Sequence, residues 1–204
     1  MRSSLALATF AIASALAAGS LSAQQLTVRG GFANVNPKSD NGTVAGANAS
    51  IDSDTAVVLG ASFLFDDRWE LAFDVGAERF AHEVTLAGLG RVVSLEHRPI
   101  SLGAHWHFLG AGEAFSPFVG LGYNWTTLSS VRGINALAGA PVAIDDSNGF
   151  TATLGADFRI NEQWFLRGEA RYIDFDSEVT LAGANIGTAN VDPWVLSLQA
   201  GIRF

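Results

Sequence analysis

The chain contains no cysteine, which excludes a disulfide framework, a thiol nucleophile and a cysteine-based zinc site. Beyond its N-terminus it has no apolar run of about 18 residues, so no segment can cross a bilayer as a helix. Charge is scarce and one-sided, with 16% charged residues and 12 basic against 20 acidic groups in 204 positions. Nucleic acid and anionic lipid are therefore not expected partners. Proline is rare and heptads are absent, whereas 22 glycines, 14 phenylalanines and 5 tryptophans point to β structure. The length suits one domain.

The first residues read as an address. Arg2 supplies a positive start, Leu5 to Ala18 form a short apolar region, and Leu21-Ser22-Ala23 precedes the expected cut. Residues 1–23 are thus expected to be a signal peptide and residues 24–204 the mature domain. That domain carries a formal charge of −9, because the leader holds one basic and no acidic residue.

From Leu26 onward the chain alternates apolar and polar with period two. Trp194, Leu196, Leu198, Ala200, Ile202 and Phe204 share one face, opposite Ser197, Gln199, Gly201 and Arg203. Trp69, Leu71, Phe73 and Val75 oppose Glu70, Asp74 and Glu78, and Trp164, Leu166 and Tyr172 oppose Arg167, Glu169 and Arg171. Eight such strands can be counted; that of Val57 to Phe65 is the least regular, since Val58 and Leu64 break its polar side. Short turns such as Asp66-Asp67-Arg68 alternate with long connections near 36–53, 83–97, 128–148 and 178–190. A lipocalin-like soluble barrel shares the alternation with its apolar face inside. Loop asymmetry, aromatics near strand ends and a closing Phe204 favour the opposite arrangement. The expected fold is all-β: an eight-stranded antiparallel transmembrane barrel with short periplasmic turns and long extracellular loops. Residues 66–88 also align without gaps onto 161–183, and Glu83 to Gly88 recurs intact as Glu178 to Gly183. Those shared runs are expected to pair as short strand extensions.

Parity sorts the lumen. Glu70, Asp74, Glu78, Asp157 and Glu169 face Arg29, Arg159, Arg167, Arg171 and Arg203, five charges of each sign. A narrow interior needs that balance, because an unpaired buried charge costs several kcal/mol. These residues are expected to form a polar plug in the periplasmic half. Above them Val35, Val58, Phe80, Ile173, Phe175 and Val195 point inward, with Leu128 a further candidate. They form either a concave apolar pocket or a dry core filling the barrel top. His105 and His107 sit two apart on the inward face, but no third ligand is near, so they read as hydrogen-bonded lumen residues and no metal is expected. Asp145-Asp146-Ser147-Asn148-Gly149 lacks the later glutamate of a calcium loop and reads as a solvated turn. No Ser–His–Asp constellation assembles by parity, so neither an enzyme nor a cofactor is expected.

Three runs bear a family resemblance. Val28-Arg29-Gly30-Gly31-Phe32-Ala33-Asn34-Val35-Asn36-Pro37, Ser116-Pro117-Phe118-Val119-Gly120-Leu121-Gly122-Tyr123-Asn124-Trp125, and Asp192-Pro193-Trp194 with Gly201-Ile202-Arg203-Phe204 resemble the opening, central and final strands of the OmpW family of bacterial outer-membrane proteins. The resemblance implies an outer-membrane barrel with a narrow hydrophobic channel. Small apolar ligands would pass the lipopolysaccharide layer and leave sideways into outer-membrane lipid. It also implies that Phe204 signals to the barrel-assembly machinery. Pro193, which cannot donate to a ladder, is a candidate lateral gate. The competing expectation is a structural or interaction barrel whose acidic loops (Asp52, Asp54, Asp145, Asp146, Asp176) bind surface partners, phage or toxins.

Overall fold

The computed structural model describes residues 25–204, so the expected signal peptide lies outside the described residues. Eight antiparallel staves form a closed ring: β1 (Gln25–Asn36), β4 (Asp54–Leu64), β5 (Trp69–Gly76), β7 (Gly90–His107), β8 (Phe115–Gly133), β10 (Ser147–Arg159), β11 (Trp164–Ile173) and β14 (Trp194–Arg203). Pairing of β5 with β7 and of β1 with β14 completes the circle, the latter in register from Thr27↔Arg203 to Asn36↔Trp194. Closure leaves no unpaired edge facing lipid, where each orphaned backbone group would cost several kcal/mol.

The alternation sorts as the pattern requires, apolar out and polar in. Phe32, Leu121, Phe150 and Leu154 are exposed, whereas Arg29, Glu70, Asp157 and Arg167 are buried. Such a surface would be insoluble in water and is matched to hydrocarbon. Aromatics mark its limits. Phe65, Trp69, Phe108, Phe115, Phe158, Trp164 and Phe204 ring the periplasmic end, and Trp125, Phe150 and Trp194 lie toward the other. At that upper level Tyr123 packs on Trp125 and Phe150, and Tyr172 on Trp194. The irregular strand resolves within β4: Ala56, Val58, Ser62 and Leu64 all turn inward and are buried, so Val58 and Leu64 are lumen residues.

The long connections are not loose. They contain β2 (Thr43–Val44), β3 (Ala47–Ile51), β6 (Phe80–Leu86), β9 (Val142–Ile144), β12 (Asp176–Leu181) and β13 (Ala184–Asn190). With the top of β7 these join in the order β7-β6-β3-β2-β13-β12-β9, a second tier above the membrane band. The repeated runs fall where expected, Glu83 to Leu86 in β6 and Glu178 to Leu181 in β12, each arm followed by a tight turn. Aspartates complete the tier by accepting from backbone N–H groups that no strand reaches. Asp54 Oδ2 takes Ala81 N at 2.7 Å, Asp52 Oδ1 takes Glu83 N at 2.6 Å, and Asp146 Oδ1 takes Leu128 N at 2.7 Å.

Candidate functional site: an apolar chamber on a charged plug

The lower lumen is filled by ion pairs running across the barrel. Glu70 on β5 receives Arg167 Nη1 and Nη2 from β11 at 3.1 and 2.9 Å, and Arg29 Nη1 from β1 at 3.5 Å. Arg167 also holds Asp157 through Nε and Nη2 at 2.7 and 2.8 Å, with Arg203 Nη2 3.5 Å from the same carboxylate. One level higher, Asp74 takes Arg29 Nη2 at 2.8 Å and Arg171 Nη2 at 2.7 Å, and that Nη2 also reaches Glu169 Oε1 at 2.8 Å. Arg167 lies over Phe118 at 4.6 Å and Arg203 over Phe165 at 4.7 Å, so the guanidinium faces rest on rings. Glycine makes room for these groups. A Cβ on Gly60 would strike Asp74 and Arg29, and one on Gly201 would strike Phe165.

Two of the ten predicted plug charges lie elsewhere. Glu78 is exposed in the bend after β5, its Oε2 accepting from Val57 N at 3.5 Å. Arg159 ends β10, and its exposed guanidinium donates to the Gly112 carbonyl at 2.6 Å. Inward parity stops mattering where a strand stops. The plug is therefore four against four: Arg29, Arg167, Arg171 and Arg203 with Glu70, Asp74, Asp157 and Glu169.

Both predicted lumen histidines adjoin Glu70 rather than each other. His107 Nε2 donates to Glu70 Oε2 at 2.9 Å, and its Nδ1 then accepts the Ser116 hydroxyl at 2.7 Å. His105 Nδ1 lies 3.5 Å from Glu70 Oε2. Among the described residues no group of three or more His, Asp or Glu is arranged for a metal ion.

Above the plug lies a partly open cavity of about 1040 Å³, counted to its mouth, with almost wholly apolar walls. Val35, Ile173, Phe175, Val195 and Leu128 line it. Val58 and Phe80, with Val35, Ile173 and Val195, line a smaller cavity between chamber and plug. All six predicted path residues thus border one space or the other. The second tier supplies what parity along the barrel strands missed: Val44, Leu86, Val92, Val93, Val179 and Val191 are buried in one cluster with Ile173 and Phe175.

His82 and His97 are the titratable side chains in the chamber wall. His82 Nδ1 is 2.7 Å from the Asp52 carbonyl and must donate to it, so its Nε2 accepts from His97 Nε2 at 3.0 Å. The facing Nε2 atoms share a single proton, so the two rings cannot both be charged. Both lie above the aromatic belt, since His97 pairs with Leu128, beyond Trp125. Burial, then the neighbouring His82, pushes His97 down to about 3, and burial lowers His82 against the raising effect of Asp52 and Asp54. Extending the inward parity of Ser101, His105 and His107 up β7 reaches His97, a signal available in the sequence.

The wall has one marked interruption. The β5–β7 ladder ends at Val75↔Ile100 and β6–β7 pairing resumes at Phe80↔His97, leaving residues 76–79 opposite Arg98 and Pro99. Pro99 has no N–H to offer and borders both cavities. Ile100 pairs with Trp125, which puts the interruption at the upper edge of the hydrocarbon band. Pro193 occupies a tighter seam, where its carbonyl accepts Ile173 N at 3.1 Å and Val191 O accepts Lys38 N at 3.1 Å. Phe204 is exposed at the periplasmic rim, its N–H bonded to Leu26 O at 2.9 Å.

Four of the five acidic loop groups each give one carboxylate oxygen to a hydrogen bond within the chain. Besides Asp52, Asp54 and Asp146, Asp176 Oδ1 accepts Asn190 Nδ2 at 2.6 Å. Asp52, Asp145, Asp146 and Asp176 remain exposed to solvent.

The model of the OmpW family matches residues 22–204. Outer membrane protein W of Vibrio cholerae serotype O1 is 30% identical over 191 residues, covering 87% of each chain. That of Escherichia coli K12 is 30% identical over 190 residues, covering 89% of each. The crystal structure of the outer membrane protein OprG from Pseudomonas aeruginosa superposes with a TM-score of 0.77 at 28% identity, covering 89% of this chain and 96% of that one.

Proposed function

The chain belongs to the OmpW family of outer-membrane barrels, and on that premise we propose that it is a passive entry route for small hydrophobic molecules. The observation that carries this reading is the order of the two lumen halves. An apolar chamber faces outward, and an ion-paired plug closes the way beneath it. A hydrophobic solute gains by leaving water for the chamber, at roughly 25 cal/mol per Å² of apolar surface covered. It would have to break desolvated ion pairs to continue into the periplasm. Exit through the wall into the outer leaflet is the cheaper route.

The interrupted ladder beside Pro99 is the opening best suited to that exit, because residues 76–79 and residues 98–99 are not paired with each other there. Pro193, held in a hydrogen-bonded seam, suits the role less well. The exposed Phe204 at the periplasmic rim remains the proposed signal to the assembly machinery, and lipopolysaccharide the layer bypassed. No catalytic step is assigned. The test is accumulation of a labelled small hydrocarbon in cells with and without the protein, beside a Phe175→Asp variant whose folding is checked by heat-modified gel mobility. Accumulation should rise with the protein and fall back in the variant; a folded variant with full uptake would overturn the reading.

A further inference from the structure

The lower cavity has an unanswered set of hydrogen-bond acceptors. Its wall shares Val35, Pro99, Ile173 and Val195 with the chamber, so the two spaces adjoin. Its floor is polar: Asp74, Ser101, Glu169, Arg171, Ser197 and Gln199. Arg171 spends Nη2 on both Asp74 Oδ2 and Glu169 Oε1, and Arg29 answers Asp74 from beneath. Glu169 is thereby the carboxylate with the least compensation; its Oε2 is buried without a protein donor. Ser101 is committed to Asn124 Oδ1 at 2.9 Å. Gln199 gives its Nε2 to Ser197 Oγ at 3.3 Å, and its Oε1 is likewise buried without a donor. Both residues are more than nine-tenths buried, at 8% and 2% exposure.

A plug built only to seal would pair these atoms, since buried polar groups without partners are rare and costly. Their complement is a group that donates. We propose that the barrel selects amphiphiles that carry a hydrogen-bond-donating head, a hydroxyl or a primary ammonium, on a small apolar body. The head would meet Glu169 Oε2 and Gln199 Oε1 while the body lies against Val35, Ile173 and Val195. A carboxylate of the same length would set further acceptors against Glu169 Oε2 and Gln199 Oε1, and an alkane leaves those two atoms as they are. The inference rests on the uptake reading and names its substrate class.

The experiment compares 1-hexanol, hexylammonium, hexane and hexanoate added to the full barrel in lipid nanodiscs, followed by backbone amide resonances. Hexanol and hexylammonium should shift Glu169, Arg171, Ser197 and Gln199 and should saturate at least tenfold below hexane and hexanoate. In Glu169→Gln and in Gln199→Leu that preference should shrink to less than threefold. The shifts that hexane induces at Val179 and Ile186 report, in the same samples, that the chamber has formed. Equal affinities for all four probes, or hexanoate shifting the floor as strongly as hexanol, would overturn this inference and leave hydrophobic uptake standing. If no probe moves any chamber resonance, the uptake reading fails and the inference fails with it.

Discussion

Glu70 is the hub on which the plug is most exposed to test. It is fully buried, with Arg167 bound through both terminal nitrogens at 2.9 and 3.1 Å, Arg29 at 3.5 Å and His107 at 2.9 Å. Salt screens buried pairs of this kind only weakly. Glu70→Gln leaves four arginines against three carboxylates in a sealed lumen, and removing one partner of a buried pair costs about 3–5 kcal/mol. Arg167→Gln should cost a similar amount with the opposite imbalance. The double variant restores three against three, and every survivor keeps a partner: Arg203 with Asp157 at 3.5 Å, Arg29 with Asp74 at 2.8 Å, and Arg171 with Glu169 at 2.8 Å. It should therefore cost at least ~2 kcal/mol less than the sum of the single variants, within the range seen for contacting residues. Urea unfolding in lipid vesicles, followed by tryptophan fluorescence and gel mobility, measures all three. If the singles add to within about 0.5 kcal/mol, charge balance is not what holds the plug and the argument for a sealed floor collapses.

Acid should loosen the second tier. An opened His97 takes a proton below about 6.5, while the folded one resists until about 3; its stabilising contribution is whole above 6.5 and is lost as pH falls through that window. At pH 5 the loss is about 2 kcal/mol, visible as faster amide exchange over Phe80–Leu86 once the intrinsic rate is corrected, and His97→Phe should flatten the slope. Pro99→Val restores a backbone donor at the wall interruption and should cut tracer uptake severalfold in a fully folded barrel; unchanged uptake would remove the lateral exit from this site. Gly31→Ala should lower the folded fraction on heat-modified gels, because its Cβ would collide with the Leu198 carbonyl across the β1–β14 seam. Overpacking of this kind costs about 1–3 kcal/mol.

The barrel was legible in the sequence because its side chains repeat every two residues against two different solvents. Parity alone brought Val58 and Phe80 to one cavity and Phe175 to the other, although they lie far apart in the chain. The same rule misplaced Glu78 and Arg159, where the strands end and alternation has no further hold. It was also blind to the second tier. Val44 and Val191 sit in stretches rich in Gly, Ala and Asn that read as turns, and only pairing among four separate connections buries them with Val179. Long-range pairing of this sort leaves no local period to read. Glu169 belonged to the predicted plug, but its spare oxygen depends on which of two carboxylates Arg171 must share.

The tight turns of the second tier set a boundary on where this protein can change. Gly46, Gly88, Gly139 and Gly183 face open space but hold left-handed backbone that strains any side chain, so the tips have room for added chain rather than for simple substitution; a few residues down the arms Val44, Leu86, Val142 and Leu181 enter the paired strands. Inserted chain is therefore best accommodated at these same few tips. Grafting a peptide at Gly88 or Gly183 turns the molecule into a display scaffold whose cargo stands clear of the membrane, while the same graft four residues earlier would unpick the wall.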